Sequence, residues 1–263
     1  MTRASDHPTR VIAVAASARS GSTLLCRALG ATGEFGDPQE LVNPHAVFSP
    51  GSFRRRPVLT ARLYASMASR WYEPGEKWEK VHRYRPGAVR AMLDDAAHKW
   101  GATDGTLCCK LMWHPYRIAM LEHGIDMGHW GCPVHWVRIT RNDRLRQAIS
   151  HVKAAQTAAW SSDQTVEREA HYDRAIIEHA IRDADDCERA WDTYFEQQGL
   201  QPYTIVYEDF DIDYEATVRA ALDHLGRPEL PVPPRQLHRQ SDAQTDEWVA
   251  RYLAESPQQS TEG

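Results

Sequence analysis

The segment "VIAVAASARSGSTLL", residues 11–25, determines the fold that the sequence predicts. It begins with a continuous apolar run, which is typical of a strand buried on both faces. Small residues and one cation, Arg19, follow, and Gly21 then precedes an apolar helical pattern. This order of strand, tight turn and helix predicts a phosphate-binding loop, because the free backbone N–H groups at a helix N-terminus favour anions.

The loop does not match an ordinary nucleotide-binding P-loop, whose pattern is G-x-x-x-x-G-K-[ST]. Counted from Gly21, the first glycine position holds Ala16 and the lysine position holds Ser22. A magnesium-dependent kinase also needs an acidic residue after an apolar strand. "HWVRIT" has none, and the acidic pair in "TIVYED" can equally be structural. A P-loop small-molecule kinase stays open as one alternative. A non-catalytic nucleotide-binding module with a turn capped by Ser22 or Thr23 is another.

Strand and helix patterns alternate along the rest of the chain. This alternation predicts an α/β fold with a central, mostly parallel sheet flanked by helices, in a single domain spanning residues 1–263. Further buried strands are predicted at 106–113, 133–140 and 203–210, and helices at 22–31, 60–72, 88–100, 214–226 and 242–255.

Two parts of the chain fall outside this alternation. Residues 34–105 form a region of loops and helices that we expect on the acceptor side of the site. Polar residues at 1–9 and 256–263 predict disordered tails.

Composition limits the function classes. The formal net charge of −5 does not indicate the strongly basic surface that is typical of nucleic-acid-binding proteins. The five cysteines form no CxxC pair and no zinc spacing, which fits thiols in a reducing compartment. No leader-like segment and no run of 18 apolar residues occurs. We therefore expect a cytoplasmic protein with no nucleic-acid partner, no transmembrane segment and no metal.

A loop without lysine suits a phosphate that is not itself transferred. A sulfuryl group carries less charge than a γ-phosphoryl group, so its transfer needs no metal clamp. One arginine can hold the leaving phosphate in a bidentate manner. Under this interpretation Arg19 binds the 5′-phosphate of a nucleotide sulfate donor and neutralises the charge that builds there.

The loop residues resemble the 5′-phosphate loop of sulfotransferases that use 3′-phosphoadenosine 5′-phosphosulfate (PAPS), with Ala18 where the common form has proline. The chain also resembles the bacterial trehalose 2-sulfotransferase-type family in a series of segments that occur in one order. The segment between Glu40 and Lys110 departs from the trehalose enzymes. The matching segments are "RSGSTLL" (19–25), "ATG" (31–33), "PQE" (38–40), "KLMW" (110–113), "QAIS" (147–150), "AQTAAW" (155–160), "RQ" (239–240) and "DEWVARY" (246–252).

The resemblance implies a P-loop-containing sulfotransferase-like fold, PAPS as co-substrate and a homodimer. The implied acceptor is a hydroxyl of a trehalose-like sugar or of another carbohydrate-bearing metabolite. Arg141 and Ser150 are expected at the 3′-phosphate of the donor, and Arg239 and Gln240 at the 3′-phosphate or the adenine edge. The implied loop contacts to the donor come from Ser17, Arg19, Ser20, Gly21, Ser22 and Thr23.

The resemblance places the catalytic base at Glu40, because an alcohol is a poor nucleophile unless a carboxylate takes its proton. His45 and His114 are alternative bases, since histidine titrates near neutral pH. Lys110 lies in an apolar strand, where an unpaired charge is costly. Its side chain is therefore expected either to reach the surface or to enter the site and stabilise charge there. Trp160 is expected to contact the nucleotide, the acceptor or a partner subunit.

Overall fold

The computed structural model provides seven strands among the residues that it describes. The described residues are 7–42, 68–70, 81–83, 86–161, 164, 168–237 and 243–255. The strands are β1 (Arg10–Ala16), β2 (Gln39–Glu40), β3 (Ala68–Arg70), β4 (Val81–Arg83), β5 (Thr106–Met112), β6 (Val134–Thr140) and β7 (Tyr203–Val206).

Helices flank these strands in the alternating order that the sequence predicts. Among the described helices, none has the length and apolar character needed to cross a membrane. The helices are α1 (Ser22–Ala31), α2 (Pro86–Trp100), α3 (Trp113–Ala119), α4 (Arg144–Thr157), α5 (Arg174–Gln197), α6 (Tyr207–Ile212), α7 (Tyr214–His224) and α8 (Ala243–Ala254).

The main sheet has the strand order β2-β5-β1-β6-β7, and all of its neighbouring strands are parallel. Strand β1 lies in the centre because its continuous apolar run can be buried on both faces. Its register places Val14 beside Lys110 of β5 and beside Val137 of β6. The structure confirms the predicted α/β fold with a central parallel sheet.

Alternate residues of β1 contribute to two cores on opposite faces of the sheet. Val11, Ala13 and Ala15 face a core built with α2, α3 and α5. The remaining apolar residues of β1 face a second core built with α1, α6 and α7. A third cluster joins α4, α5 and α8. Because strand side chains alternate between faces, a single apolar run holds helices on both sides of the sheet.

The first core contains a group of aromatic rings in mutual contact. The ring of Trp191 in α5 stacks on Tyr116 at 5.6 Å and on Phe195 at 5.5 Å between ring centroids. Such pairs stabilise a fold by ~0.5–1.5 kcal/mol each beyond the effect of buried area. The indole Nε1 of Trp191 donates to the carbonyl of Ala16 at 3.1 Å. Helix α5 is therefore fixed directly to the residue at which β1 ends.

Two of the predicted elements are wrong in part. The strand expected at 203–210 ends at Val206, and Tyr207 begins helix α6. The reason is that the Glu208 carboxylate accepts from the backbone of Asn142 and Asp143, which turns the chain away from the sheet edge.

The helix expected at 60–72 is the second error. Residues 68–70 form a strand that pairs antiparallel with residues 81–83. Backbone pairing with a distant segment overrides a weak local helical pattern. The first part of this predicted helix, residues 60–67, lies outside the described residues, and so do most of the two predicted tails.

Candidate active site

The carboxyl ends of the parallel strands meet at one edge of the sheet, where ligands bind in open α/β folds. Five segments reach this edge. They are the loop after β1, Glu40 at the end of β2, Trp113 after β5, Arg141 after β6 and Tyr207 after β7. The edge therefore brings together segments that are far apart in the sequence, including most of the predicted site residues.

The loop after β1 has a conformation that leaves the start of α1 open. Its N-cap residue is Gly21 (φ 91°), which has no side chain to accept from the first-turn amides. The predicted alternative of a turn capped by Ser22 or Thr23 is therefore wrong. A Cβ at Gly21 would lie 2.4 Å from Cδ2 of Tyr207, so only glycine fits here. Small size and positive φ let the backbone amides face the sheet edge.

Side chains from α4 and α5 hold the underside of this loop. The Ser17 hydroxyl donates to the Glu188 carboxylate at 2.7 Å. The Gln147 amide donates to Ser17 Oγ at 2.9 Å and to the Ala18 carbonyl at 2.7 Å. Ser20 Oγ donates to the Ser17 carbonyl at 2.9 Å. Ser17 and Ser20 are buried, so their hydroxyl groups shape the loop from inside the fold.

Glu188 connects the loop to a buried ion-pair network that the sequence analysis did not find. Its other oxygen accepts from Arg138 at 2.9 Å, and Arg144 lies 3.9 Å away. Burial opposes the charge of Arg138, but hydrogen bonds to Asp192 and Glu188 outweigh it and raise the pKa of that guanidinium. Gln147 lies within the quoted "QAIS" segment, whereas Glu188 lies in a charged helix without a local signal.

Two predicted phosphate-binding arginines converge above the loop. Arg19 Nε donates to Ser150 Oγ at 2.9 Å, and the same guanidinium donates to the Trp160 carbonyl. Arg141 donates to the Arg19 carbonyl at 3.1 Å and lies over the ring of Tyr207, 4.5 Å from its centroid. Burial, together with the charge of Arg141, lowers the pKa of Arg19 to about 10. Two crowded, partly dehydrated cations form an environment that an anion would stabilise.

Glu208, the first acidic residue of "TIVYED", has a structural role. Glu208 caps the backbone between β6 and α4 through three contacts of 3.0–3.1 Å to Asn142 and Asp143. Burial would raise the pKa of Glu208, but these backbone amides and the nearby Arg141 outweigh it and hold the pKa below its ordinary value. The capped turn fixes the backbone beside Arg141.

Lys110 points into the site rather than to the surface. Its Nζ lies 3.1 Å from Oε2 of Glu40. The Lys110 side chain is 15% exposed and the Glu40 side chain 21%. The same Nζ donates to Thr23 Oγ1 in the first turn of α1 at 3.5 Å. The register of β2 against β5 causes this contact, because it pairs Glu40 with Lys110. The ammonium group therefore links the predicted base to the loop.

Of the two predicted alternative bases, His114 lies among the described residues and contacts α5. His114 Nε2 lies 2.8 Å from Oδ1 of Asp183 and 3.4 Å from Sγ of Cys187, and its Nδ1 is buried. Neither ring nitrogen of His114 is presented as a base in this arrangement. His45, Arg239 and Gln240 lie outside the described residues.

The parallel sheet, the open start of α1 and the paired arginines define an α/β protein of the P-loop type with a candidate anion site at the sheet edge. The model of the Stf0 sulphotransferase family matches residues 11–255. The chain belongs to this family and is a sulfotransferase, which confirms the resemblance. Of the alternatives that the sequence leaves open, the family supports neither the kinase nor the non-catalytic module.

Named relatives cover nearly the whole chain. It is 30% identical over 267 residues to the trehalose 2-sulfotransferase of Mycobacterium tuberculosis, with 93% of this chain and 94% of the relative covered. It is 30% identical over 274 residues to the trehalose 2-sulfotransferase of Mycolicibacterium smegmatis, with 94% and 96% covered. A solved sulfotransferase from Alicyclobacillus acidocaldarius has 14% identity and a TM-score of 0.45, covering 94% of this chain and 92% of its own.

Proposed function

We propose that this sulfotransferase moves a sulfuryl group from PAPS to a hydroxyl of a carbohydrate or carbohydrate-bearing small molecule. The observation that carries the donor assignment is the convergence of Arg19 and Arg141 beside the open start of α1. Two phosphates of one nucleotide would neutralise these two cations. The support for a sugar acceptor is the name of the two relatives, each a trehalose 2-sulfotransferase.

In this proposal the 5′-phosphate of the donor binds the first-turn amides of α1 and the guanidinium of Arg19. Arg19 exchanges its contacts with Ser150 and the Trp160 carbonyl for phosphate oxygens, which are stronger acceptors for a charged donor. Ser150 and Arg141 then bind the 3′-phosphate. Arg239 and Gln240 stay predictions for the same end of the donor.

In the transfer step, Glu40 and Lys110 act on the acceptor and on the bond that breaks. The acceptor oxygen attacks sulfur, the bond from sulfur to the 5′-phosphate oxygen breaks, and the acceptor proton passes to the Glu40 carboxylate. Lys110 orients the Glu40 carboxylate through the contact at 3.1 Å. Its contact with Thr23 places its positive charge near the bond that breaks, where it stabilises the departing charge. These steps need no metal.

The substitution Glu40→Gln tests the base. We expect kcat to fall by ~10²–10⁴-fold, the usual contribution of a positioned base, while the affinity for the product nucleotide PAP stays unchanged. The matched control is Glu34→Gln, an exposed carboxylate in the same loop between α1 and β2. Transfer is measured with labelled PAPS and a panel of sugars that starts with trehalose, and PAP affinity by calorimetry.

Two outcomes contradict different parts of this proposal. Full activity of Glu40→Gln would show that the base assignment is wrong while leaving the donor assignment intact. A wild-type protein that neither binds PAP nor labels any sugar would overturn the proposed donor and acceptor.

We also infer a homodimer from the family resemblance and a cytoplasmic location from the cysteine pattern, which fits thiols in a reducing compartment. Sedimentation of the purified chain measures the first, and fractionation of producing cells measures the second. A monomer at micromolar concentration would contradict the dimer.

A further inference from the structure

Helices α3 and α5 bring a histidine, a carboxylate and a thiol together outside the proposed transfer site. His114 Nε2 lies 2.8 Å from Oδ1 of Asp183 and 3.4 Å from Sγ of Cys187. All three of these atoms lie within 4.8 Å of one another. We call these residues the α3–α5 cluster. The proposed chemistry of sulfuryl transfer uses none of them.

The geometry excludes a nucleophilic triad. In such a triad one ring nitrogen of the histidine contacts the nucleophile, and the other nitrogen contacts the orienting carboxylate. Here the thiol and the carboxylate both approach the same nitrogen, Nε2, and Nδ1 is buried on the other side of the ring. The arrangement instead directs nitrogen, oxygen and sulfur toward one point.

We propose that the α3–α5 cluster binds one divalent transition-metal ion, with zinc as the best match. Imidazole, carboxylate and thiolate are all zinc ligands, with bonds of ~2.0–2.3 Å. Tetrahedral coordination at those lengths separates ligand atoms by roughly 3.3–3.7 Å. The 3.4 Å between Nε2 and Sγ already meets this value, and the 2.8 Å to Asp183 has to widen by about half an ångström.

The surroundings provide access and a fourth ligand. Cys187 is only 4% exposed, but the side chains of His114 and Asp183 are about one-third exposed. Asp183 also lines a cleft between α4 and α5 that contains His151 and His179. A water molecule that enters through this cleft can complete the coordination.

Metal binding would replace the contacts of His114 Nε2 with Asp183 and Cys187 by bonds to the ion. The bonds from His114 Nε2, Asp183 Oδ1 and Cys187 Sγ to the metal form as the Cys187 thiol releases its proton to solvent and the His114 ring carries its proton on Nδ1 instead of Nε2. The sequence shows no zinc spacing because the ligands come from two helices, with 73 residues between His114 and Cys187.

A metal here would join α3, which follows β5, to α5. Cys187 is the neighbour of Glu188, which contacts the loop between β1 and α1. We call this loop, residues 17–21, the donor loop. The ion would stabilise the helix that positions the donor loop. This role is structural and does not depend on the identity of the acceptor.

Cobalt titration tests the proposal, because Co²⁺ occupies zinc sites and a thiolate ligand gives a near-ultraviolet charge-transfer band. We expect one equivalent per chain to produce this band in the full-length, metal-stripped protein, and zinc to displace it. Cys187→Ser should remove the band. Asp183→Asn, which changes a partly exposed group, should weaken cobalt binding at least ~10-fold, since even outer partners of metal ligands contribute that much.

Cys132→Ser is the matched control, because Cys132 is a partly exposed thiol outside the cluster. It should retain the band and the affinity. A wild-type chain that shows no saturable cobalt band, or a band lost in Cys132→Ser and kept in Cys187→Ser, would overturn the proposal. The wild-type result and Asp183→Asn decide the question even when Cys187→Ser does not fold. None of these readouts involves sulfuryl transfer.

Discussion

Glu188→Gln tests whether the donor loop is held from below by a buried charge. The Glu188 side chain is 8% exposed and contacts Ser17 of the loop and Arg138 of β6. Glutamine keeps the size and one acceptor oxygen, so the substitution removes the charge and little else. The expected effect is therefore electrostatic and confined to this network.

The magnitude follows from the partners that remain. Removing one member of a buried ion pair destabilises a fold by ~3–5 kcal/mol. Arg138 keeps its contact with Asp192, whose side chain is 62% exposed, so we expect a destabilisation somewhat below this range, ~2–3 kcal/mol. For a chain of this size that lowers Tm by roughly 5–10 °C.

The hydroxyl of Ser17 also loses a charged acceptor. A hydrogen bond to a charged group contributes about 1 kcal/mol more than one to a neutral group. If that difference orders the loop for its ligand, the affinity for PAP falls about fivefold. Glu188→Ala, which also removes the acceptor of Ser17, should weaken PAP binding further.

The assay compares thermal unfolding and PAP calorimetry of the wild type, Glu188→Gln, Glu188→Ala and one control. The control is Glu178→Gln, on the same helix, which breaks an i,i+4 pair with Arg174 and should cost at most ~0.5 kcal/mol. If Glu188→Gln unfolds at the temperature of Glu178→Gln and binds PAP as the wild type does, the network does not position the loop.

Three further predictions concern the same edge of the sheet. Arg19→Gln should lose the PAP-induced rise in Tm while the donor-free protein loses little stability. The lowered pKa of Arg19 means that its charge is disfavoured in the fold at every pH below about 10, and thermal unfolding with and without PAP measures both effects. Gly21→Ala should destabilise the fold by ~1–3 kcal/mol, because of the positive φ and the clash with Tyr207; Gly33→Ala, with positive φ and open space, is the control in the same unfolding assay. The lowered pKa of Glu208 stabilises the fold above its ordinary pKa, and this contribution is lost as pH falls through the folded value, so Glu208→Gln should unfold with a weaker dependence on acid pH.

Much of the scaffold could be predicted because β1 is buried on both faces. A strand of that kind has a continuous apolar run, and the runs of β5 and β6 show the same pattern at nearly the observed bounds. Strand β2 gives no such signal. Gln39 and Glu40 are polar, and only the backbone of β5 makes them a strand. A two-residue pairing of this kind depends on tertiary contact and leaves no periodicity.

The candidate site divides in the same way. The resemblance assigns Arg141 and Ser150 to one phosphate, and the structure brings both to Arg19. Contacts across the fold were not predictable, since Ser17 and Glu188 are 171 residues apart and neither has an unusual sequence environment. His114 shows the limit of a local pattern. A histidine after a strand matches a catalytic position, but its contacts with Asp183 and Cys187 come from another element, α5, and could not be predicted from its neighbours in the sequence.

The missing lysine of the loop has a geometric explanation. In an ordinary P-loop, the lysine directly after the last glycine contacts the phosphate that is transferred. The same position in this chain lies in the first turn of α1. In this fold Lys110 of the neighbouring strand β5 brings its ammonium group to that turn, at 3.5 Å from Thr23. The loop cation is instead Arg19, whose positive φ of 62° costs ~1–2 kcal/mol. That conformation lets one planar guanidinium reach Ser150 and the Trp160 carbonyl together, which a single ammonium point charge does less well. Two cations on two elements thus stand where a P-loop has one lysine. Arg19 is the cation that we propose binds the leaving phosphate, and Lys110 contacts Glu40 at the proposed point of attack.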